Sequence, residues 1–533
     1  MKKILSENKY LIILWILCIA GLLIFCGHYS GILIDFGREV FYPERILAGD
    51  VLYKNLFNIY GPLSYQINAI LYKIFGAKLS TLYGAGSVCS ILTVSGIYLV
   101  AQKFLSKFLS FALAVFTIAV GVTAVSIFNF HFPYSWAVLY GLIAFLYSLY
   151  FLLDKKNLSL SALLAGICIT CKYDFLLYGL VVLFFVIKSK DWKALLCFIS
   201  APILSYGILF LQGLKLSDLI NSLLITKQMA KSKTLTYFYQ NSGIYFHPKA
   251  LLMDFITFLK TAIPFGGILF GANLFEKRKN ISIIVLLIST VLFFLLFDIE
   301  IGFGFLPLLL LVFVAASYKK LNSNLRILLI STLCVCAKVF WVLILNSYGN
   351  YYAPIVLTAF FALLFTYLPK KLEKIAGVVI IAISILIFSH NLHTRKFLNN
   401  KIETAKNTIY TTKQLAVSTN ELINYIEQNA KDKKIVIFPE GMTVNFLTDT
   451  KSDGFYNSLL PLYIETFGEE KIIEHYKSDK PDYIILTNQN MKDYYFEYIC
   501  KDYAHKFCGF IQENYSLERV IGQEFRYVIF MLK

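Results

Sequence analysis

The sequence predicts an all-α polytopic membrane domain followed by a small exported α/β domain. The first reason is composition: of 533 residues, 58% are hydrophobic and 16% are charged, whereas about a quarter of a soluble chain is charged. The second is that apolar runs of roughly 20 residues recur between short lysine-rich breaks, as in membrane-spanning helices. The third is a change after about residue 390, where short strand-like runs alternate with helical ones.

The apolar runs predict about thirteen membrane-spanning helices, each of roughly 13–24 residues. An odd number of spans places the amino terminus in the cytoplasm and the carboxyl terminus outside. The predicted cores are 10–27, 81–101, 108–127, 134–153, 158–171, 175–187, 194–212, 251–274, 281–297, 303–317, 327–345, 354–368 and 375–390.

The positions of the positive charges indicate how the chain is oriented in the membrane. The formal net charge is +17, which at first suggests nucleic acid, but lysines and arginines fall in every second break between spans. Cytoplasmic loops carry such an excess, so we predict a multi-pass protein of the cell membrane with no nucleic-acid partner. The basic breaks contain Lys2, Lys3 and Lys9; Lys103 and Lys107; Lys155 and Lys156; Lys188, Lys190 and Lys193; Lys277, Arg278 and Lys279; Lys319, Lys320 and Arg326; and Lys370, Lys371 and Lys374.

This topology predicts three exported segments: residues 28–80, roughly 213–250, and everything after about His390. It divides the chain into a transmembrane domain, 1–390, which includes loop 28–80, and an extracytoplasmic α/β domain, 391–533. Each of these exported segments contains basic residues, although basic residues normally concentrate on the cytoplasmic side. An anionic ligand is one explanation for positive charge on that side.

The C-terminal domain is predicted to alternate strands and helices. KKIVIFP, PDYIILT and RYVIFML predict strands, and TKQLAVSTNELINYIEQNAK and LLPLYIETFGEEKIIEHY predict helices. FPEGMTVNFLTD predicts a strand-to-loop junction that holds Glu440 and Asn445 as candidate substrate contacts. Cys500 and Cys508 would face an oxidising compartment, where a disulfide is permitted, and two free thiols are the alternative. The other cysteines lie in apolar runs without a metal-ligand pattern.

Loop 28–80 concentrates charge beside the first span. In GILIDFGREVFYPERILAGDVLYKNLFNIYGPLSYQINAILYKIFG, Asp35 emerges just beyond the outer end of that span, where a carboxylate reaches the level of lipid head groups. Residues 38–48 and 63–75 combine apolar residues at helical spacing with charges, which predicts helices lying in the membrane interface. NIYGPLSY between them predicts a turn at Gly61 and Pro62.

The same loop carries a series of short motifs. They are Asp35 with Arg38, Ala48-Gly49-Asp50, Pro62-Leu63-Ser64-Tyr65 with Asn68-Ala69, and Phe75-Gly76. In this series the loop resembles the first exported loop of the polytopic GT-C glycosyltransferases, closest to the family 39-like enzymes and the bacterial aminoarabinose transferases that act on lipid A. Similarity continues in LLAGICITCKYDF, with Thr170 and Lys172, and in YGNYYAPIVLTAFFALL, with Tyr352 and Pro354.

Two positions depart from those relatives. Ile59-Tyr60-Gly61-Pro62 stands where the aminoarabinose transferases carry an acidic residue and a lysine before two prolines, and that lysine contacts the lipid phosphate in them. Phe36 replaces the second residue of a frequent Asp-Glu pair. Asp35 therefore stands alone as the acid at that place, with Glu39 one helical turn further on.

The resemblance implies an inverting transfer of a hexosyl or pentosyl group from a polyprenyl-phosphate sugar donor to a lipid, glycan or protein acceptor on the outer face of the cytoplasmic membrane. Asp35 would be the catalytic general base toward the acceptor hydroxyl, and cations would stabilise the departing lipid phosphate. We expect no nucleotide-sugar site, because the chain has no Gly-rich phosphate loop, and no cofactor. No metal-ligating residues are assigned, since Asp35 has no paired ligands, and the metal dependence of the reaction stays open. The candidate substrate-binding residues are Arg38, Glu39, Lys54, Tyr60, Lys172, Lys338 and Tyr352.

Other functions are open at this stage. A polysaccharide or lipid-linked glycan transporter would carry its binding charges near the middle of the bilayer on broken helices, whereas here they concentrate in exported loops. A glycan ligase shares lipid-linked donors and exported loops, and a catalytically inactive relative would use the α/β domain as a binding module. For single residues, interfacial anchoring of Asp35 and pairing of Lys172 with Asp174 are the structural alternatives.

Overall fold

The computed structural model describes residues 9–154, 157–242, 248–296, 305–337 and 348–533. Lys338, one of the predicted substrate-binding residues, lies outside the described residues. Within them, the chain is helical up to Arg395 and mixed α/β after it.

The helical part places a helix in each of the segments predicted as membrane spans, as far as these segments are described. Four further helices lie in the predicted exported loops. In chain order the helices are α1 (Lys9–Phe25), α2 (Phe36–Leu47), α3 (Leu63–Phe75), α4 (Leu79–Ala101), α5 (Lys107–Thr117), α6 (Trp136–Asp154), α7 (Leu158–Cys171), α8 (Leu176–Ser189), α9 (Trp192–Leu211), α10 (Leu216–Met229), α11 (Lys233–Ser242), α12 (Pro248–Leu274), α13 (Lys279–Leu296), α14 (Leu306–Ser317), α15 (Ser323–Cys336), α16 (Gly349–Tyr367) and α17 (Glu373–Arg395).

Among the described residues, seven helices are long and apolar enough to cross a membrane. They are Leu79–Ala101, Trp136–Asp154, Trp192–Leu211, Pro248–Leu274, Lys279–Leu296, Gly349–Tyr367 and Lys370–Arg395. Other predicted spans coincide with shorter apolar helices: α8 has 14 residues and α14 has 12. A span needs about 20 residues, so the predicted count of about thirteen crossings is not confirmed and stays a prediction.

Small residues let the helices of this part approach closely. A side chain at Gly166 of α7 would stand 2.1 Å from the carbonyl oxygen of Phe198 on α9, and one at Gly86 of α4 would stand 2.0 Å from that of His131. Such residues are usual where membrane helices meet, because close packing drives their association in lipid. α16 lies at the centre of the bundle, with 83% of its most apolar stretch buried, whereas α13 has 11% and lies at the periphery.

The chain after Arg395 contains a four-stranded mixed sheet of order β3-β4-β6-β5. β3 and β4 are parallel, and the other two pairs are antiparallel. β3, β4 and β6 confirm the three strands predicted from KKIVIFP, PDYIILT and RYVIFML. The elements are β1 (Asn400–Ile402), β2 (Ile409–Thr411), α18 (Lys413–Asn429), β3 (Ile435–Phe438), α19 (Met442–Thr448), α20 (Pro461–Phe467), α21 (Glu469–Ser478), β4 (Tyr483–Thr487), α22 (His505–Asn514), β5 (Tyr515–Ile521) and β6 (Tyr527–Leu532).

This C-terminal part differs from the prediction at three places. The run LLPLYIETFGEEKIIEHY is two helices and not one, because Gly468 with a φ of 82° ends α20. The junction FPEGMTVNFLTD contains the short helix α19 instead of a loop. β5 escaped prediction because its five central residues are exposed, which leaves no buried strand pattern. Of the two alternatives for Cys500 and Cys508, a disulfide or two free thiols, the structure shows the disulfide.

Loop 28–80 contains α2 and α3 at the predicted positions. The structure corrects the prediction that α2 lies in an open membrane interface, because its residues from 36 to 43 are buried. Gly37 faces α19, where a side chain would stand 2.5 Å from the backbone nitrogen of Thr443. The apolar side of α2 is thus covered by the C-terminal part of the protein.

Candidate functional site

Asp35 lies directly before α2, where loop 28–80 meets the C-terminal part. Its φ is 64°, in the left-handed region that non-glycine residues rarely adopt. Its backbone N–H donates to Oε1 of Glu440 at 2.9 Å. Its carboxylate accepts from Nη2 of Arg38 at 3.1 Å instead of capping α2. With 19% of the side chain exposed, this carboxylate is oriented by its neighbours and still accessible.

Arg38, one turn along α2, is surrounded by tyrosines and only 7% exposed. Its guanidinium lies 5.7 Å from the ring centroid of Tyr60 and 5.4 Å from that of Tyr134, within the range of cation–π attraction. Nη1 donates to the hydroxyl of Tyr463 at 3.4 Å. Nε is buried and has no hydrogen-bond partner among the described residues. The guanidinium therefore keeps donor capacity beyond its contact with Asp35.

Glu440, between β3 and α19, brings a second carboxyl group to Asp35. It is 1% exposed and also accepts from the hydroxyl of Ser458 at 3.3 Å. Burial raises the pKa of Glu440 to about 8, and the charge of Asp35 adds to the rise. Burial raises the pKa of Asp35 as well, against the lowering effect of Arg38. A second negative charge beside Asp35 is therefore disfavoured by burial.

Lys172, directly after α7, supplies a second buried cation. Its ammonium lies 3.1 Å from a carboxylate oxygen of Asp174, and its side chain is 1% exposed. The same ammonium faces the ring of Tyr60 at 5.2 Å and that of Tyr348 at 4.4 Å. Tyr60 is thus in contact with both Arg38 and Lys172. The pairing of Lys172 with Asp174, one of the alternatives from the sequence, is present.

Two of the other predicted site residues make contacts away from Asp35, although Oε1 of Glu39 also lies 3.8 Å from Nε of Arg38. Both carboxylate oxygens of Glu39 are engaged, because Oε1 accepts from the hydroxyl of Tyr65 at 3.1 Å and Oε2 from the backbone N–H of Trp136 at 3.2 Å. Burial raises the pKa of Glu39 to about 7. Lys54 donates to the carbonyl oxygen of Gly213 at 3.3 Å. Glu39 therefore ties α2 to its neighbours, and Lys54 ties the loop to the end of α9.

Tyr352 lies on α16 and is fully buried, with its ring 6.2 Å from that of Phe175. Its hydroxyl has no hydrogen-bond partner among the described residues. It faces the same region as Tyr348, one turn before it on the chain. Lys338, the last predicted residue, lies outside the described part of the structure.

Sequence reasoning found Tyr60 but missed three other tyrosines of the site. Tyr134 comes from the loop before α6, Tyr348 precedes α16, and Tyr463 lies on α20. No motif distinguishes them from the other tyrosines of a chain that has 36. Glu440 is a candidate substrate contact from its place at a strand-to-loop junction, although most such junctions are structural. Its proximity to Asp35 follows only from the fold.

A cavity with both polar and apolar walls lies between the start of loop 28–80 and the C-terminal part, and Ile34, the residue before Asp35, belongs to its lining. Its volume is about 550 Å³. Segments 30–34 and 126–128 line one side of it, and the C-terminal part lines the other with residues that include Thr412, Gln414 and Gln489.

An apolar cavity of about 390 Å³ lies deeper in the helical part, between α12, α14, α16 and α17. Phe258, Phe265, Leu306, Leu357 and Phe361 are among the residues that line it. Helix α16 begins directly after Tyr348, whose ring faces Lys172, and its later residues line this cavity. The helix therefore runs from the residues around Asp35 to the cavity.

One group of side chains in the described residues could hold a metal ion. The ligand atoms of Asp453, His475 and Asp479 lie within 4.8 Å of one another. Nζ of Lys434 lies 2.5 Å from a carboxylate oxygen of Asp479 and 4.0 Å from one of Asp453. The ammonium group of Lys434 therefore already places a positive charge beside these carboxylates. The group does not include Asp35, and we assign it no part in the reaction.

The chain matches no known protein-family model and no curated protein. It is similar to solved archaeal oligosaccharyltransferases. The Archaeoglobus fulgidus enzyme in complex with zinc and sulfate has 12% identity over 90% of this chain and 68% of that chain, with a TM-score of 0.46. Its complex with an inhibitory peptide and a dolichol-phosphate has 12% identity over 91% and 70%, with a TM-score of 0.44.

A third structure is the same archaeal enzyme tethered to an acceptor peptide that contains the NVT sequon. It has 10% identity over 91% of this chain and 69% of that chain, with a TM-score of 0.40. All three TM-scores lie below 0.5, so these similarities carry no conclusion about function.

Proposed function

We propose that this protein is a membrane glycosyltransferase of the GT-C type, which takes a sugar from a polyprenyl-phosphate donor and transfers it to an acceptor hydroxyl. One observation carries the proposal: Asp35, partly exposed, lies against Arg38 at 3.1 Å, and the same tyrosine ring contacts Arg38 and the second cation, Lys172. An oriented carboxylate beside two buried cations suits a transfer from a phosphate leaving group.

The chemistry assigns separate roles to these groups. Asp35 accepts the proton of the acceptor hydroxyl while that oxygen attacks the anomeric carbon of the donor sugar. The bond from this carbon to the phosphate oxygen breaks, and its electron pair stays on the lipid phosphate. Arg38 and Lys172 stabilise the negative charge that grows on that phosphate. The transferred sugar has inverted configuration at its anomeric carbon, because the acceptor oxygen attacks opposite the departing phosphate.

The apolar cavity supports a lipid-linked donor. A cavity lined by phenylalanine and leucine side chains on several helices suits a hydrocarbon chain, since burial of apolar area is the favourable term for such a ligand. Helix α16 begins beside Lys172 and Tyr348 and runs along this cavity. A phosphate held at the cations and an isoprenoid chain held along α16 would belong to one donor molecule.

The test uses the purified full chain in detergent or in liposomes with a radiolabelled polyprenyl-phosphate sugar. A transferase releases free polyprenyl phosphate and places the label on an acceptor from a cell-envelope extract. A transporter moves intact donor or glycan across the vesicle membrane and releases no polyprenyl phosphate. Uptake without release would contradict the proposal, and so would the absence of both product and label transfer with every donor sugar tested.

A further inference from the structure

The cavity between loop 28–80 and the C-terminal part offers groups that bind saccharides. Its walls combine hydroxyl, amide and carboxylate side chains with two aromatic rings and with aliphatic side chains. Such a combination suits sugars, because hydroxyl groups bind the polar side chains and the apolar faces of the sugar ring pack on aromatic rings. The residues with these groups are Ser30, Ser126, Thr412, Gln414, Gln489 and Glu524, with Phe128 and Phe525.

The cavity adjoins the reacting groups through two of its walls. Ile34 lines it and is the residue before Asp35. Phe128 lines it from the other side, and its ring centroid lies 5.8 Å from that of Tyr134 and 5.5 Å from that of Tyr348. These are the two rings that face Arg38 and Lys172. Asp35 itself does not line the cavity, so a molecule bound there reaches Asp35 by extending past Ile34. Two successive rings, that of Phe128 and that of Tyr134 or Tyr348, separate it from the cations.

Charge distinguishes the cavity from the group around Asp35. No lysine or arginine belongs to the described residues that line the cavity, and Glu524 is its one charged group. A phosphate would find no positive partner in the cavity, whereas Arg38 and Lys172 offer two outside it. The cavity is thus unsuited to the head group of the donor and suited to a neutral or amino sugar.

The walls of the cavity are held in place by the protein itself. The amide nitrogen of the Asn488 side chain donates to the carbonyl oxygen of Glu524 at 2.8 Å, which joins two of the lining loops. Gln414 hydrogen-bonds the carboxylate of Glu524. The side-chain amide of Gln489 makes no hydrogen bond to another described residue, so it is available to a ligand. A volume of about 550 Å³ lies in the usual range of about 300–1,000 Å³ for ligand sites.

From this placement we infer that the cavity is the acceptor site, and that the acceptor is a hydroxyl-rich saccharide and not a lipid or a peptide. The inference rests on the proposed transferase function and specifies its second substrate. The sugar enters between loop 28–80 and the C-terminal part and presents one hydroxyl to Asp35. The donor approaches from the side of Arg38 and Lys172.

A direct binding test separates this inference from the proposed function. The probe is a mixture of short neutral oligomers of glucose, mannose and N-acetylglucosamine, and binding is followed by saturation-transfer NMR on the full chain in lipid nanodiscs. Gly31 lines the cavity, and a side chain there would meet no atom within 4 Å. The Cβ atom of Gly31→Phe is therefore accommodated, and its ring is expected to occupy part of the cavity. Gly509→Phe is the matched control, since a side chain at Gly509 also meets nothing within 4 Å.

The wild type and Gly509→Phe should give saturation transfer from the oligomers, and Gly31→Phe should lose it. Gln489→Ala should raise the KM for a saccharide acceptor about tenfold, the effect of losing one hydrogen bond of about 1–1.5 kcal/mol. Absence of binding to the wild type, or equal binding to Gly31→Phe, would overturn the inference. In the labelled-donor assay, transfer of label to a lipid or protein fraction alone would also overturn it, while binding without any transfer would instead refute the transferase function.

Discussion

Asp35 shows at the scale of one residue how the C-terminal part shapes the site. A non-glycine residue in the left-handed region costs on the order of 1–3 kcal/mol, and the backbone N–H of Asp35 is held in that conformation by Glu440 at 2.9 Å. The bond joins residues separated by 405 positions in the chain. The geometry of the proposed base is therefore set by two parts of the protein together.

Removal of the second carboxyl group should change the pH dependence of the protein. The pKa of Glu440 is raised from 4.5 to about 8, so its contribution to stability is present below about pH 4.5 and is lost as the pH rises through about 8. Glu440→Gln keeps an acceptor for the N–H of Asp35 and does not titrate. The melting temperature of the wild type should fall relative to that of Glu440→Gln over this window. Parallel melting curves across it would contradict the raised pKa.

Arg38 should bind the donor phosphate. Arg38→Gln removes a charge-assisted contact worth about 1.5–3 kcal/mol, so we expect the KM for the donor to rise by roughly 10- to 150-fold and turnover to fall as well. Arg45→Gln is the control, because Arg45 lies on the same helix but pairs with Asp50 at 2.7 Å. If the two variants change the donor KM equally, Arg38 has no special part in donor binding.

At the scale of elements, the turn between α2 and α3 is packed directly on the end of α7. A side chain at Gly61 would stand 1.9 Å from the carbonyl oxygen of Thr170, and the neighbours of these two residues are Tyr60 and Lys172. This close approach is what brings Tyr60 to 5.2 Å from the ammonium of Lys172.

Gly61→Ala should therefore separate the turn from α7 and displace Tyr60 from Lys172. We expect a loss of stability of about 1–3 kcal/mol, as for other overpacked contacts, together with weaker donor binding. Gly84→Ala on α4 is the matched control, because a side chain there meets no atom within 4 Å. Unchanged stability and donor KM in Gly61→Ala would show that the contact is not tight.

Most elements were predictable because their signals are local. The apolar runs predicted the positions of the helices, and β3, β4 and β6 followed from short apolar runs. The predictions that were wrong concern elements whose surroundings are set by contacts between residues distant in the chain. α2 has the composition of an interfacial helix, and only the docking of α19 on Gly37 shows that protein covers it.

The same limit applied to the site. Asp35 and Arg38 could be singled out from a short motif, and the structure places them together. The arrangement of Tyr134, Tyr348, Tyr463 and Glu440 around them comes from four separate segments and leaves no pattern in the sequence. Side chains that act only through tertiary contact cannot be recognised from spacing along the chain.

For the whole molecule, the alternation of basic breaks predicts a cytoplasmic amino terminus and an extracytoplasmic C-terminal domain. Lys431 is exposed in that domain and Lys188 is exposed at the end of α8, so they suit single-cysteine labelling. A membrane-impermeant thiol reagent added to intact cells should label Lys431→Cys at once, and Lys188→Cys only after permeabilisation. If Lys188→Cys is labelled at once and Lys431→Cys only after permeabilisation, the predicted topology is inverted and the Asp35 site lies on the cytoplasmic side.

The central claim is that Asp35 is the base of a sugar transfer, and the turnover of Asp35→Asn tests it most directly. This change keeps the shape of the side chain and removes its basicity, so turnover should fall by about 10²–10⁴-fold while the KM for the donor does not rise. Asp50→Asn, which alters a carboxylate paired with Arg45 in the same loop, should transfer sugar at close to the wild-type rate. Transfer at the wild-type rate by Asp35→Asn would contradict the account, leave Asp35 as an interfacial anchor, and move the search for the base to Glu39 or Glu440.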